Sequence, residues 1–199
     1  MEQTQILVAV AAPATAHIRV LGRATFSCSA NLRQFGEEIL ARDANLRQFG
    51  EEILARDGSR LIFHLSGCPL MDSTFLGVMT RFGLAYFKAK RPVQLVGPTE
   101  AVLGLFTELG VRRFFEVTQG PLPDLDWHPL YPATEADQPD LRERGRTSLE
   151  AHRQLVAANH DNAAKFQTVI KSLESDLERL DQKPPPGRPA APQPKGNGS

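Results

Sequence analysis

The stretch that most restricts the fold of this 199-residue chain is LIFHLSGCPLMDSTFLGVMTRF, at 61–82. In one short run it joins a strand, a sharp turn and the start of a helix. Leu61-Ile62-Phe63 is an apolar run with β-branched and aromatic members, the mark of a buried strand. Ser66-Gly67-Cys68-Pro69 turns the chain. Asp72-Ser73-Thr74 supplies short polar side chains that cap the exposed N–H groups of a first helical turn. A serine there sits where the positive end of the helix dipole welcomes a phosphate. The placement points to a switch rather than a catalyst.

The strands are expected at 6–10, 17–21, 60–65, 92–96 and 114–117, the first two joined by a turn around Pro13. A helix is expected over 73–89, where Leu76, Met79, Gly83 and Tyr86 recur at three- and four-residue steps and bury one face. Another is expected over 99–109, with Thr99 as its cap and Gly110 as its stop. Strands alternating with helices predict an α/β domain over 1–118, a mixed β-sheet with helices packed on one face.

Its first helix carries a perfect tandem duplication. Residues 30–43, ANLRQFGEEILARD, recur unchanged as 44–57. One copy supplies the helix the fold needs, so the second is surplus, and two copies of one helix do not make a solenoid. Only Gly58 is a fair stop, so one helix is expected over 30–57, longer by about 21 Å at 1.5 Å per residue. A break near Asp43 that lets one copy bulge is the alternative. Natural duplication and engineering both account for the identity.

Residues 119–140 form a connector, because Pro121, Pro123, Pro129, Pro132 and Pro139 forbid regular structure. Trp127 and Tyr131 within it are expected to pack back on the domain. Residues 141–182 form an amphipathic helix, continuous over 141–181. Its seam is Leu149, His152, Val156, Asn159, Ala163, Phe166, Ile170, Leu173, Leu177 and Leu180. The seam's lower half, 166–180, is expected to make the strongest contacts. A dimeric coiled coil, giving a homodimer, and docking on the chain's own domain are both open. Residues 183–199, with Pro-Pro-Pro-Gly and a Gly-Asn-Gly-Ser end, read as a disordered tail.

Basic and acidic residues balance at 23 each, so no global field recruits nucleic acid or an anionic membrane. Cys28 and Cys68 make neither a metal spacing nor a disulfide framework and are expected as buried thiols. No apolar run approaches the roughly 18 residues of a membrane span, and residues 1–5 lack a signal peptide's basic segment. A cytoplasmic protein with no cofactor and no metal site is expected. Catalysis is not expected either: there is no GxSxG elbow, P-loop, HExxH or CxxC. A catalytic serine also needs a base within reach, and of His17, His64, His128, His152 and His160 only His64 lies near Ser73 in sequence.

The run Leu70-Met71-Asp72-Ser73-Thr74-Phe75-Leu76-Gly77-Val78-Met79 resembles the signature of STAS domains, the family named for sulfate transporters and anti-sigma-factor antagonists. A looser likeness extends over 5–117 through the order of strands and helices. Phe75 stands where many antagonists carry glycine, and His64 where an acidic or amide residue is common. Ala151-His152 and Asn162-Ala163-x-x-Phe166 are similar to helices that follow some of these domains. The resemblance implies a protein-interaction domain whose hydroxyl residue after the motif aspartate is phosphorylated by a serine kinase. Carried over, the aspartate is Asp72, the acceptor Ser73 with Thr74 as alternative, and the partner face Asp72, Ser73, Thr74 and Phe75. The implied partners are an anti-sigma factor that is itself the serine kinase, and a serine phosphatase, with no direct contact to nucleic acid or membrane. The alternative is a non-enzymatic scaffold or ligand-sensing module in another signalling or transport complex.

Overall fold

The computed structural model describes residues 4–11, 15–45, 60–130 and 140–182, those at 36–45 by backbone alone. Six strands form one sheet: β1 (Gln5–Ala11), β2 (Thr15–Leu21), β3 (Arg60–His64), β4 (Val93–Val96), β5 (Phe115–Thr118) and β6 (His128–Pro129). Their order is β5-β4-β3-β2-β1-β6, with β2, β3, β4 and β5 parallel and β1 antiparallel to both its neighbours. The helices are α1 (Phe26–Asn45), α2 (Ser73–Lys88), α3 (Glu100–Glu108), α4 (Leu141–Ala158) and α5 (Asn162–Gln182), with a 3-10 turn at Arg112–Phe114.

The pleat sorts the two faces, because successive side chains on a strand point to opposite sides. Ile18 and Val20, Leu61 and Phe63, and Val93 and Leu95 face the helices and are buried with Leu32, Phe75, Met79 and Phe106. The alternate residues, among them His17, Arg19, Ile62, His64 and Gln94, line the opposite face. The fold is therefore α/β, a mixed sheet with helices on one face and a helical C-terminal region.

Four expectations are corrected. The first helix begins at Phe26 rather than at residue 30, because Asp72 at the start of α2 caps it: Oδ2 accepts the Phe26 N–H at 2.7 Å. The connector contributes β6 despite its prolines; Pro129 sits on the sheet's outermost strand, where a missing N–H is tolerated. The C-terminal helix is divided, with Asn159 in extended conformation at the break. Asparagine and aspartate compete with a helix by bonding nearby backbone, and here Asn159 Oδ1 accepts the Asp161 N–H at 3.3 Å. α5 folds back along α4, pairing Arg153 with Glu174 and bringing Leu177 to Gly145. In the resulting hairpin α4 lies between α2 and α5. Hence α4, not the lower half of the seam, is the better buried: Leu149, Ala151, His152, Leu155 and Ala158 are buried, whereas over 166–180 Leu177 is buried and Phe166, Ile170, Leu173 and Leu180 are half-buried. The surplus repeat beyond residue 45, Tyr131 and the 183–199 tail lie outside the described residues.

Candidate functional site

The Asp72–Ser73 corner is built by backbone pairing. After β2 the chain runs beside the residues following β3: Ala24 N–H donates to the Leu70 carbonyl and Asp72 N–H to the Ala24 carbonyl, both at 2.9 Å. That brings the start of α1 against the start of α2. One carboxylate serves both, since Asp72 Oδ1 accepts the Phe75 N–H at 2.8 Å while Oδ2 holds Phe26. Ser73 is then the first residue of α2, half-buried.

Its hydroxyl has a partner that the sequence hides. Ser73 Oγ lies 3.0 Å from His152 Nε2 of α4. His152 Nδ1 lies 2.7 Å from the Ser148 carbonyl, which can only accept, so the proton sits on Nδ1 and Ser73 donates to Nε2. Burial pushes the imidazole below its ordinary value, against opposing effects of the Ser148 carbonyl and Asp72, so the neutral form prevails near pH 7. Phe166 of α5 backs the ring, with centroids 4.7 Å apart. Next along α2, Thr74 Oγ1 meets Ser148 Oγ at 3.1 Å. One turn further, Gly77 lies against the α4 backbone, where a Cβ would stand 2.4 Å from the Ala151 carbonyl oxygen. Arg33 of α1 binds the same helix through Thr147, Glu143 and Glu150.

Of the four expected interface residues, Asp72 and Ser73 are half-buried and Thr74 is buried under Ser148. Phe75 is 0% exposed within the core, so its side chain is not presented to a partner. The seam of α4 is spent on α2 and α5 of its own chain. The complementary small residues on α2 (Ser73, Thr74, Gly77) and α4 (Thr147, Ser148, Ala151) are the sequence signal that could have foretold this close packing.

His64 is remote from this corner, on the opposite face of the sheet. Its Nε2 lies 3.0 Å from His17 Nδ1, and Trp127 of the connector stands edge-on to both rings. Burial pushes His64 down to about 4, with the His17 and Arg19 charges adding, and burial lowers His17 too. Burial also raises both thiols, Cys28 to about 11. Among the described residues no three His, Cys, Asp or Glu side chains gather as a metal site, and no helix is long and apolar enough to cross a membrane.

The chain is similar to the solved structure of the anti-sigma factor antagonist SpoIIAA in its unphosphorylated form. Sequence identity is 13% and the TM-score 0.42, over 61% of this chain and 91% of that one. No family model and no curated protein matches the chain.

Proposed function

We infer that this chain is a protein-interaction domain switched by phosphorylation of Ser73, acting as an anti-sigma-factor antagonist does. The unphosphorylated form binds a serine kinase that is also an anti-sigma factor, and a serine phosphatase resets it. The domain is 1–118 together with β6 from the connector 119–140, and 141–182 is a helical appendage. Asp72, Ser73 and Thr74 form the partner face, and Ser73 rather than Thr74 is the acceptor.

The observation that carries this reading is the seat of Ser73, a half-buried hydroxyl on the first residue of α2, beside a capping aspartate. Thr74 is buried and its hydroxyl engaged, which supports the choice between the two. Transfer from ATP forms the Oγ–P bond and breaks the γ-phosphorus bond to the bridging oxygen. ADP leaves, and the hydroxyl proton passes to a base. The product carries nearly two negative charges and three acceptor oxygens beside Asp72. A partner docked there would have to desolvate that charge, so one phosphate closes the face without refolding the domain.

Phosphopeptide mapping tests it. The purified chain is incubated with ATP and a lysate of its native cells; phosphate is expected on the peptide bearing Ser73 and absent from Ser73→Ala. Equal uptake by Ser73→Ala would refute the assignment.

A further inference from the structure

We propose that the α4–α5 hairpin is a cis-acting cover of the α2 N-terminus, docked only while Ser73 is unmodified, and competing there with any partner. This rests on the reading of Ser73 as the phospho-acceptor.

The contact surface is continuous and specific. Ser73 donates to His152, Thr74 meets Ser148, and Gly77 admits the Ala151 backbone, so three positions on one stripe of α2 are taken by one stripe of α4. Such an approach fixes the spacing of two rigid helices. At 3.0 Å between Ser73 Oγ and His152 Nε2 there is no space for a phosphoryl group. The imidazole cannot simply swing aside, since Ser148 holds its other nitrogen and Phe166 backs the ring. A phosphate must therefore push the whole of α4 outward, and Gly77 and Ala151 part with it.

Separation is feasible because the cover and the sheet meet across few elements. α4 packs on α2 and α1, and polar anchors hold its borders: Arg33 to Glu143 and Glu150, Arg113 to the Ala158 carbonyl, and Asn162 to the Leu109 carbonyl. The buried strand residues cluster with α1, α2 and α3, and α4 adds Ala151, Leu155 and Ala158 to that cluster.

Three states follow. In the closed state the hairpin occupies the Ser73 face, and a partner or kinase binds only the fraction of molecules that is open, with affinity reduced by that fraction. In the partner-bound state the hairpin is displaced. In the phosphorylated state the face is closed to partner and hairpin alike, and the α4 seam is set free. The hairpin thus sets the threshold at which a partner or kinase engages the domain.

Hydrogen exchange on the purified full-length chain tests this without any kinase, so its failure is told apart from failure of the Ser73 assignment, which phosphopeptide mapping reads. Gly77→Ala wedges the helices apart from the domain side, and Ser73→Asp places a carboxylate against His152. In the wild type, 148–158 should be protected. Both variants should raise exchange there tenfold or more while 61–65 and 93–96 stay within twofold; Ser73→Ala, which adds no bulk or charge, should stay within threefold of wild type. Unchanged protection of 148–158 in both Gly77→Ala and Ser73→Asp overturns the proposal. So does free exchange of 148–158 in the wild type, or loss of strand protection together with the hairpin in both variants, which would make the hairpin part of the core.

Discussion

Asp72 joins two helices that are 46 residues apart in sequence, and its removal should cost more than a cap ordinarily does. One oxygen caps α2 through Phe75 at 2.8 Å and the other caps α1 through Phe26 at 2.7 Å. Loss of an N-cap costs about 0.5–2 kcal/mol. Loss of a hydrogen bond to a charged acceptor adds about 1.5–3 kcal/mol. Asp72→Ala should therefore destabilise the fold by about 3 kcal/mol, inside the about 2–5 kcal/mol that the two losses span together, or about 6–12 °C in Tm for a chain of this size. Asp72→Asn keeps one acceptor oxygen but turns its amide NH2, a donor, toward the other N–H, so it should recover only the single-cap share. Thr99→Ala is the internal control. Its Oγ1 caps α3 alone, accepting from Val102 N–H at 3.2 Å, and its loss should cost about 1 kcal/mol. Urea titration followed by far-UV circular dichroism measures all three, with the midpoint moving and the slope unchanged. An Asp72→Ala cost no greater than that of Thr99→Ala would refute the two-helix role.

The histidine pair makes stability fall with acid. The folded His64 value of about 4 lies below the ordinary 6.5, so the unfolded chain takes up a proton first as pH drops. Stability is full above about pH 6.5 and declines between 6.5 and 4; a shift of that size corresponds to about 3 kcal/mol at most, with His17 acting in the same direction. His64→Gln should flatten the urea midpoint between pH 7 and 4.5, and an unaltered slope would exclude the pair as its source. Asn162 is 1% exposed, and its amide donates to the Leu109 and Leu155 carbonyls at 2.9 Å each. Asn162→Leu strands the Leu109 carbonyl, while that of Leu155 keeps the Asn159 N–H, and should cost about 1–3 kcal/mol in the same titration. Asn162→Asp, which sets a carboxylate against them, should cost more; the reverse order would count against the two bonds.

Much of the fold was legible locally. The alternation in β2 and β3, the cap at Asp72, the cap at Thr99 and the stop at Gly110, where φ is +68°, all depend on residues within a turn or two of one another. The break at Asn159 was less so, because the heptad seam runs through it without interruption. Only the polar run Asn159-His160-Asp161-Asn162 marked the place, and its weight depends on carbonyls that Asn162 reaches from Leu109, fifty-three residues away. Trp127 was expected to pack back on the domain, but its target, the His17–His64 pair, was not in view.

The sequence by itself determined the strand-turn-helix corner, the position of Ser73 on the first turn of α2 and the α/β order of elements, because periodicity and capping are local. Only the tertiary structure decided that His152 meets Ser73 across 79 residues and that α4 is spent on its own domain. It also decided that His64 belongs to the other side of the sheet. Those pairings follow from which helix faces which strand, and a chain reveals that only when its apolar faces have chosen one another in three dimensions.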